Sequence, residues 1–149
     1  MHSTLSPRQR IRNRLITTLH RCGLAVGPTQ LLTVAGRRSG VPRTTPVAPV
    51  AMDGSLYIVQ AYPGSAWVRN ARAAGTGSLA RGRHTRQVTL VELPVSERAR
   101  VLRQFPVQNP RGVGAFVRNG LVATGTPDEF AEAAHRCPVF LAAPSGDRP

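Results

Sequence analysis

Residues 36–43 read Gly-Arg-Arg-Ser-Gly-Val-Pro-Arg. Arginines, a serine and two glycines packed this closely suit one kind of chemistry, the holding of an anion. Turn glycines let backbone N–H groups converge, and each guanidinium offers a planar fork that matches a phosphate or carboxylate. The same residues also make a plain basic hairpin turn on a solvated edge, because turn chemistry by itself accounts for the glycines. Residues for covalent or acid–base work are sparse. His2, His20, His84 and His135 form no pair at metal-ligand spacing, so no metal site is expected and each histidine reads as structural or solvated. No serine sits in a nucleophile elbow, and the 7 acids are too scattered for a carboxylate pair. Any chemistry done here is therefore cofactor chemistry, the protein supplying binding and orientation.

The totals point the same way. The formal net charge is +13 over 149 residues, and every basic residue is arginine. A compositional bias explains the choice of arginine over lysine but not the shortage of acids: none occurs before Asp53. The first third is strongly positive and contains the opening motif, so an anionic partner is expected. Nucleic acid is disfavoured because aromatics for stacking are few, with one Trp, two Tyr and four Phe. Cys22 and Cys137 lack metal spacing and read as small buried thiols, a disulfide between them staying open. No apolar run is long enough to span a membrane, and the N-terminus lacks a signal peptide's h-region and cleavage site, which places the chain in the cytoplasm.

The elements that must position the motif follow from periodicity and punctuation. The length suits one domain, 1–149. Ser6-Pro7 starts a helix whose Ile11, Leu15, Leu19 and Cys22 form one apolar stripe among five arginines, giving a basic amphipathic helix within residues 1–24. Its readings are a helix packed on the domain edge and a peripheral contact with an anionic membrane. Strands are expected at 31–35, 43–52 (irregular at Pro46 and Pro49) and 55–61, with Asp53-Gly54 as a hairpin turn. A helix capped by Ser65 spans 66–74, followed by strands at 78–80 and 84–93 around the Arg81-Gly82-Arg83 turn. A helix runs from Ser96 to Phe105, a loop from 106 to 114, and 115–122 fits helix or strand. A further helix starts at Thr126-Pro127, and residues 137–143 form the last strand. Hairpin signals dominate from 31 to 93, so the expected fold is α+β, mainly β: a small barrel or curled sheet over 31–143 with short flanking helices.

Two blocks together carry a resemblance. Leu32 to Gly40 (LTVAGRRSG), followed by Pro42-Arg43 and Thr45-Pro46, and then Ala66-Trp67-Val68-Arg69-Asn70-Ala71-Arg72-Ala73 after the strand SLYIVQA, resemble the deazaflavin (F420)-dependent nitroreductase family. These are actinobacterial flavin/deazaflavin oxidoreductases of the split β-barrel fold, and some form homodimers. The resemblance implies hydride transfer from reduced coenzyme F420 to an electron-poor small organic acceptor of quinone, enone or nitro type, with flavin mononucleotide (FMN) as the alternative cofactor. It implies that Arg37, Arg38, Ser39, Gly40, Pro42 and Arg43 hold the cofactor's phosphate and acidic tail. It further implies that Thr45, Pro46, Ala61, Tyr62, Trp67 and Asn70 lie along the ring, Tyr62 being the candidate proton donor. Trp67 reads equally as a core anchor, and Asn70 as a bond to the cofactor or to local backbone. A non-catalytic binder of F420, or of an apolar ligand such as a fatty acid, is the alternative on the same fold. Ala48 stands where some members carry tyrosine, and the members' C-terminal pocket tyrosines are absent, which leaves the acceptor open. Ala74-Gly75 stands at the family's Asn-Pro turn.

Overall fold

The computed structural model describes residues 29–145. The N-terminal helix expected within 1–24, and Cys22 with it, lie outside the described residues. Seven strands form one antiparallel sheet: β1 (Gln30–Ala35), β2 (Pro42–Val47), β3 (Val50–Met52), β4 (Ser55–Val59), β5 (Thr76–Arg81), β6 (His84–Glu92) and β7 (Val139–Pro144). Their spatial order is β2-β1-β5-β6-β7-β4-β3. The helices are α1 (Ala66–Ala74), α2 (Val95–Gln108), α3 (Val113–Arg118) and α4 (Pro127–Glu132). This is the expected α+β split half-barrel. Among the described residues no helix is long and apolar enough to cross a membrane.

The expected single strand 43–52 is in fact two strands on opposite edges of the sheet. β2 pairs only with β1, and β3 only with β4. The chain crosses between the edges at Ala48-Pro49, so two residues of chain draw the sheet into a curl. Pro46 has no N–H for a ladder and sits on the edge strand opposite Leu31, where a proline is tolerated. Asn109 fastens the crossing by donating from Nδ2 to the Pro49 carbonyl at 3.2 Å.

Strand alternation separates two cores. Leu32, Val34, Ile58, Leu79, Val88, Leu90 and Phe140 face inward and pack with Trp67, Val68 and Ala71 of α1. Tyr57, Val59 and Val139 face the other way, against Val101, Leu102 and Phe105 of α2, Phe116 of α3 and Phe130 of α4. Residues β4 and β7 contribute to both cores alternate one by one, as a period of two requires. Cys137 is free and buried there, and burial pushes its thiol up to about 11, which makes it unreactive.

Helix α2 runs to Gln108, three residues past the expected stop, with Pro106 inside its last turn. Proline removes a single N–H, and tertiary contacts outweigh it. The Gln108 amide accepts from Ala51 N–H and donates to the Ala51 carbonyl, both at 2.8 Å. One side chain thus mimics a paired strand against the β3 edge. The segment 115–122, ambiguous in sequence, begins as the end of α3 and then turns at Gly120 (φ 71°).

Candidate functional site

The loop between β1 and β2 closes on itself. Gly36 N–H donates to the Val41 carbonyl at 2.9 Å, Gly40 N–H to the Gly36 carbonyl at 2.8 Å, and Val41 N–H to Ser39 Oγ at 3.1 Å. A Cβ on Gly36 would lie 3.1 Å from Ser39 Oγ and 3.2 Å from the Val41 carbonyl, so only glycine lets the turn close without a shift. Gly40 sits at φ 73°, in the left-handed region. The expected backbone nest is thus largely engaged inside the loop, and the amides of Arg38 and Ser39 remain free to meet a ligand. An anion in the adjoining groove would meet chiefly guanidinium groups.

Asn70 settles which way the loop points. It is 3 % exposed, and its Oδ1 accepts from Arg37 N–H at 3.0 Å and from Arg37 Nη1 at 2.9 Å. Its carbonyl oxygen thus anchors both the backbone and the side chain of Arg37. Trp67 likewise serves as a core anchor, 9 % exposed with its ring 5.5 Å from that of Phe140, while one side still faces the site.

These residues bound an open groove of about 690 Å³ between the β1–β2 loop and the start of α1. Arg37, Arg38, Ser39, Pro42, Arg43, Thr45, Trp67 and Asn70 line it, as do Val34, Gly36, Thr44 and Ala66. The last four are absent from the residues expected along the cofactor. Strand alternation could have found Val34, which pairs with Arg43 and shares its face. Thr44 is held by a 2.8 Å hydroxyl–hydroxyl contact with Thr33. Gly40, Pro46, Ala61 and Tyr62 lie outside the lining. Ala61 and Tyr62 follow β4; Ala61 accepts from Asn119 Nδ2 at 2.9 Å, and the Tyr62 carbonyl accepts from Ser65 N–H at 3.1 Å.

Helix α1 adds a second positive element. Ser65 was expected to cap it, but the Ser65 hydroxyl donates to the Tyr62 carbonyl and makes no cap bond. No acid lies in the first turn, and Ala66 and Trp67 of that turn line the groove. The start of the helix, whose amides no side chain caps, therefore borders the same space as the arginines. At its other end α1 is locked. Gly75 in the left-handed region (φ 71°) donates to the Ala71 carbonyl, which lets Ala74-Gly75 make the turn. Arg72 forks onto Glu92 of β6 through Nε and Nη2, each at 2.8 Å, and buried Arg98 meets the same carboxylate at 3.2 Å. The Arg72 bond, with the charges of both arginines, holds the Glu92 carboxyl below its ordinary range.

The fit to a flavin-like phosphate cofactor is good on three counts. The volume is that of a small-molecule site, the lining carries Arg37, Arg38 and Arg43 beside the start of α1, and Val34 and Trp67 add apolar surface among them. Among the described residues no group of His, Cys, Asp or Glu could hold a metal.

The family model for the F420H(2)-dependent quinone reductase matches residues 9–115. Among solved structures, one described as F420-H2 dependent reductase FDR-A is 24% identical, covering 77% of this chain and 93% of its own with a TM-score of 0.54. Another, described as a domain-swapped dimer, is 22% identical over 92% of this chain and 99% of its own, with a TM-score of 0.55. The heme storage protein HutZ from Vibrio cholerae is 13% identical, covering 90% of each chain, with a TM-score of 0.57. At these identities the likenesses establish the fold. No curated protein matches.

Proposed function

Because the chain belongs to the F420H(2)-dependent quinone reductase family and is a reductase enzyme, we propose that the groove between the β1–β2 loop and α1 holds reduced F420 and serves a quinone-type acceptor. The enone and nitro classes share the needed electron deficiency. When bound, the coenzyme supplies a hydride from its deazaflavin ring. The protein's part is binding and orientation. Arg38 and Arg43 grip the phosphate and acidic tail, Arg37 is held ready by Asn70, and the amides of Arg38, Ser39 and the α1 terminus complete the charge match. Val34, Thr45 and Trp67 would line the part of the groove that takes the ring. Hydride transfer to the acceptor must be matched by one proton. The groove is open and Tyr62 lies outside its lining, so that proton comes from water.

The observation that carries this reading is the convergence of Arg37, Arg38, Arg43 and the uncapped start of α1 on one groove. Titrating the protein with oxidised F420 and following its fluorescence tests it. The parent binds in the micromolar range or tighter. The double variant Arg38→Ala with Arg43→Ala loses roughly a hundredfold or more, since each charge-assisted bond is worth about 1.5–3 kcal/mol. Preference for FMN over F420, or an unaffected double variant, overturns the assignment. A homodimer in the cytoplasm belongs to the same reading; light scattering on the purified chain checks the dimer.

A further inference from the structure

Strand β2 pairs only with β1, so its far side is a free edge of the sheet. The ladder decides which of its main-chain groups reach that edge. Gly36 N–H donates to the Val41 carbonyl where the hairpin opens. Bonded and non-bonded pairs alternate along an antiparallel ladder. Val34–Arg43 and Leu32–Thr45 are therefore bonded pairs, and Ala35–Pro42, Thr33–Thr44 and Leu31–Pro46 are the non-bonded pairs between them. The main-chain groups of Pro42, Thr44 and Pro46 thus point away from β1. The prolines agree with this phase, since an outward position asks no N–H of the ladder. Pro42 and Pro46 bring the edge a carbonyl each, and Thr44 brings a carbonyl and an N–H.

The other edge of the sheet is filled. On β3 the N–H and carbonyl of Ala51 both bond the Gln108 carboxamide at 2.8 Å, and the Pro49 carbonyl accepts from Asn109 Nδ2 at 3.2 Å. Among the described residues, Thr44 is the edge position that keeps a donor and an acceptor open side by side. Its side chain is already engaged, the hydroxyl meeting that of Thr33 at 2.8 Å on the face away from Arg43. Thr44 nevertheless lines the arginine groove, as do Pro42 on its own face and Arg43 and Thr45 on the opposite face. A groove lined from both faces of one strand runs along the edge of that strand. What Thr44 offers it is main chain.

We propose that the N–H and carbonyl of Thr44 form a two-point docking site for the imide edge of the ligand's ring. A ring carbonyl accepts from Thr44 N–H, and the neighbouring ring N–H donates to the Thr44 carbonyl. The molecule already contains the same match at its other edge, where one planar carboxamide satisfies both groups of Ala51. The inference rests on the groove being the deazaflavin site. A trans amide in the acidic tail is the poorer partner, because its N–H and C=O point in opposite directions. An added strand is poorer still, because Pro42 and Pro46 deny it the next N–H on either side of Thr44.

The test is a fluorescence titration of the full chain with F420, with the deazaflavin fragment that lacks phosphate and tail, and with the N3-methyl form of that fragment. Thr44→Pro removes the N–H at a position whose neighbours in phase are already prolines. It is expected to weaken F420 and the fragment alike, each roughly tenfold, as the loss of one or two hydrogen bonds predicts. Thr44→Val keeps the N–H while losing the hydroxyl, and stays within about twofold of the parent. N3-methylation costs the parent roughly tenfold but costs Thr44→Pro little, because both changes break one contact and do not add. Independently of any variant's folding, the Thr44 amide of the parent should exchange its hydrogen quickly when unliganded and slowly with F420 bound. The assignment is overturned by parent-like binding in Thr44→Pro, by an equal loss in Thr44→Val, or by an N3-methyl penalty undiminished in the proline variant. It is also overturned by a loss for F420 but not for the fragment, which places the contact on the tail, or by Thr44 exchange that F420 leaves unchanged. A parent that binds neither F420 nor the fragment overturns the reading of the groove itself, an outcome distinct from all of these.

Discussion

Asn70 donates no charge to the site, yet it determines how one charge is presented. Its Oδ1 receives both the amide and the guanidinium of Arg37, residues separated by 33 positions in sequence. Asn70→Ala leaves the Arg37 amide without that partner and lets the guanidinium swing into solvent. F420 affinity is expected to fall about tenfold, the cost of one or two hydrogen bonds of roughly 1 kcal/mol each. If Arg37 serves the anionic end as proposed, the deazaflavin fragment that lacks the phosphate and tail binds the variant as it binds the parent. A loss equal for both ligands in the fluorescence titration would place Asn70 against the ring. Tyr62→Phe, by contrast, keeps turnover within about twofold if water supplies the proton; a collapse of kcat with unchanged KM would give the hydroxyl a catalytic role.

At the scale of elements, two devices hold α1 and α4. The Arg72–Glu92–Arg98 cluster joins α1 and α2 to β6. Arg98 also donates to the Leu93 and Ala134 carbonyls at 3.0 and 3.1 Å, so it is largely satisfied and 8 % exposed. Glu92→Ala leaves that buried cation without its carboxylate and is expected to cost about 2–3 kcal/mol in urea unfolding. Helix α4 begins with a capping box: Glu129 N–H donates to Thr126 Oγ1 while Glu129 Oε1 accepts from the amides of Thr124, Gly125 and Thr126. The backbone bonds from Thr126, Gly125 and Thr124 hold the Glu129 carboxyl down at about 2. A depressed folded-state value means that this stabilisation is whole above the ordinary carboxylate pKa of about 4.3 and disappears as pH falls toward 2. Thermal melts should show Glu129→Gln below the parent at neutral pH, with the gap closing across that acid window. A gap constant with pH would remove the charge from the explanation. The start of this helix was legible in Thr126-Pro127-Asp128-Glu129, because its signals are local. The hairpins and the α1 boundaries were legible for the same reason. The division of 43–52 between two sheet edges was not, nor the extension of α2 past Pro106. Both depend on Gln108 and Asn109 reaching a strand more than fifty residues away. The arginine loop was legible as a tight basic turn; its bond to Asn70, and the loss of most of its backbone amides to internal bonds, were not.

At the scale of the whole molecule, charge is segregated. The stretch from β1 to β6 before Glu92 holds the arginine-lined groove and a single acid, Asp53, while the remaining described acids gather on β6, α2 and α4. A net charge of +13 on so small a fold is a source of self-repulsion. Added salt screens it, the Debye length shortening to about 10 Å at 0.1 M, so the unliganded protein should melt higher in sodium chloride than in dilute buffer. Reduced or oxidised F420 adds its own stabilisation by mass action, about 2.7 kcal/mol at a ligand concentration a hundredfold above Kd. For a chain of this length that corresponds to a rise in Tm of roughly 5–10 °C. The two effects must oppose each other in combination. Salt would weaken the proposed arginine–phosphate contacts while relieving the repulsion that the cofactor would also relieve. The rise produced by a fixed concentration of F420 is therefore expected to shrink as salt increases, even as the unliganded Tm climbs. In Arg38→Ala with Arg43→Ala the unliganded Tm should start higher, with a shallower salt dependence and little response to F420. Scanning calorimetry over a salt series reads all of these trends, and a cofactor-induced rise independent of salt would mean that apolar contact with the ring, rather than charge, carries the binding.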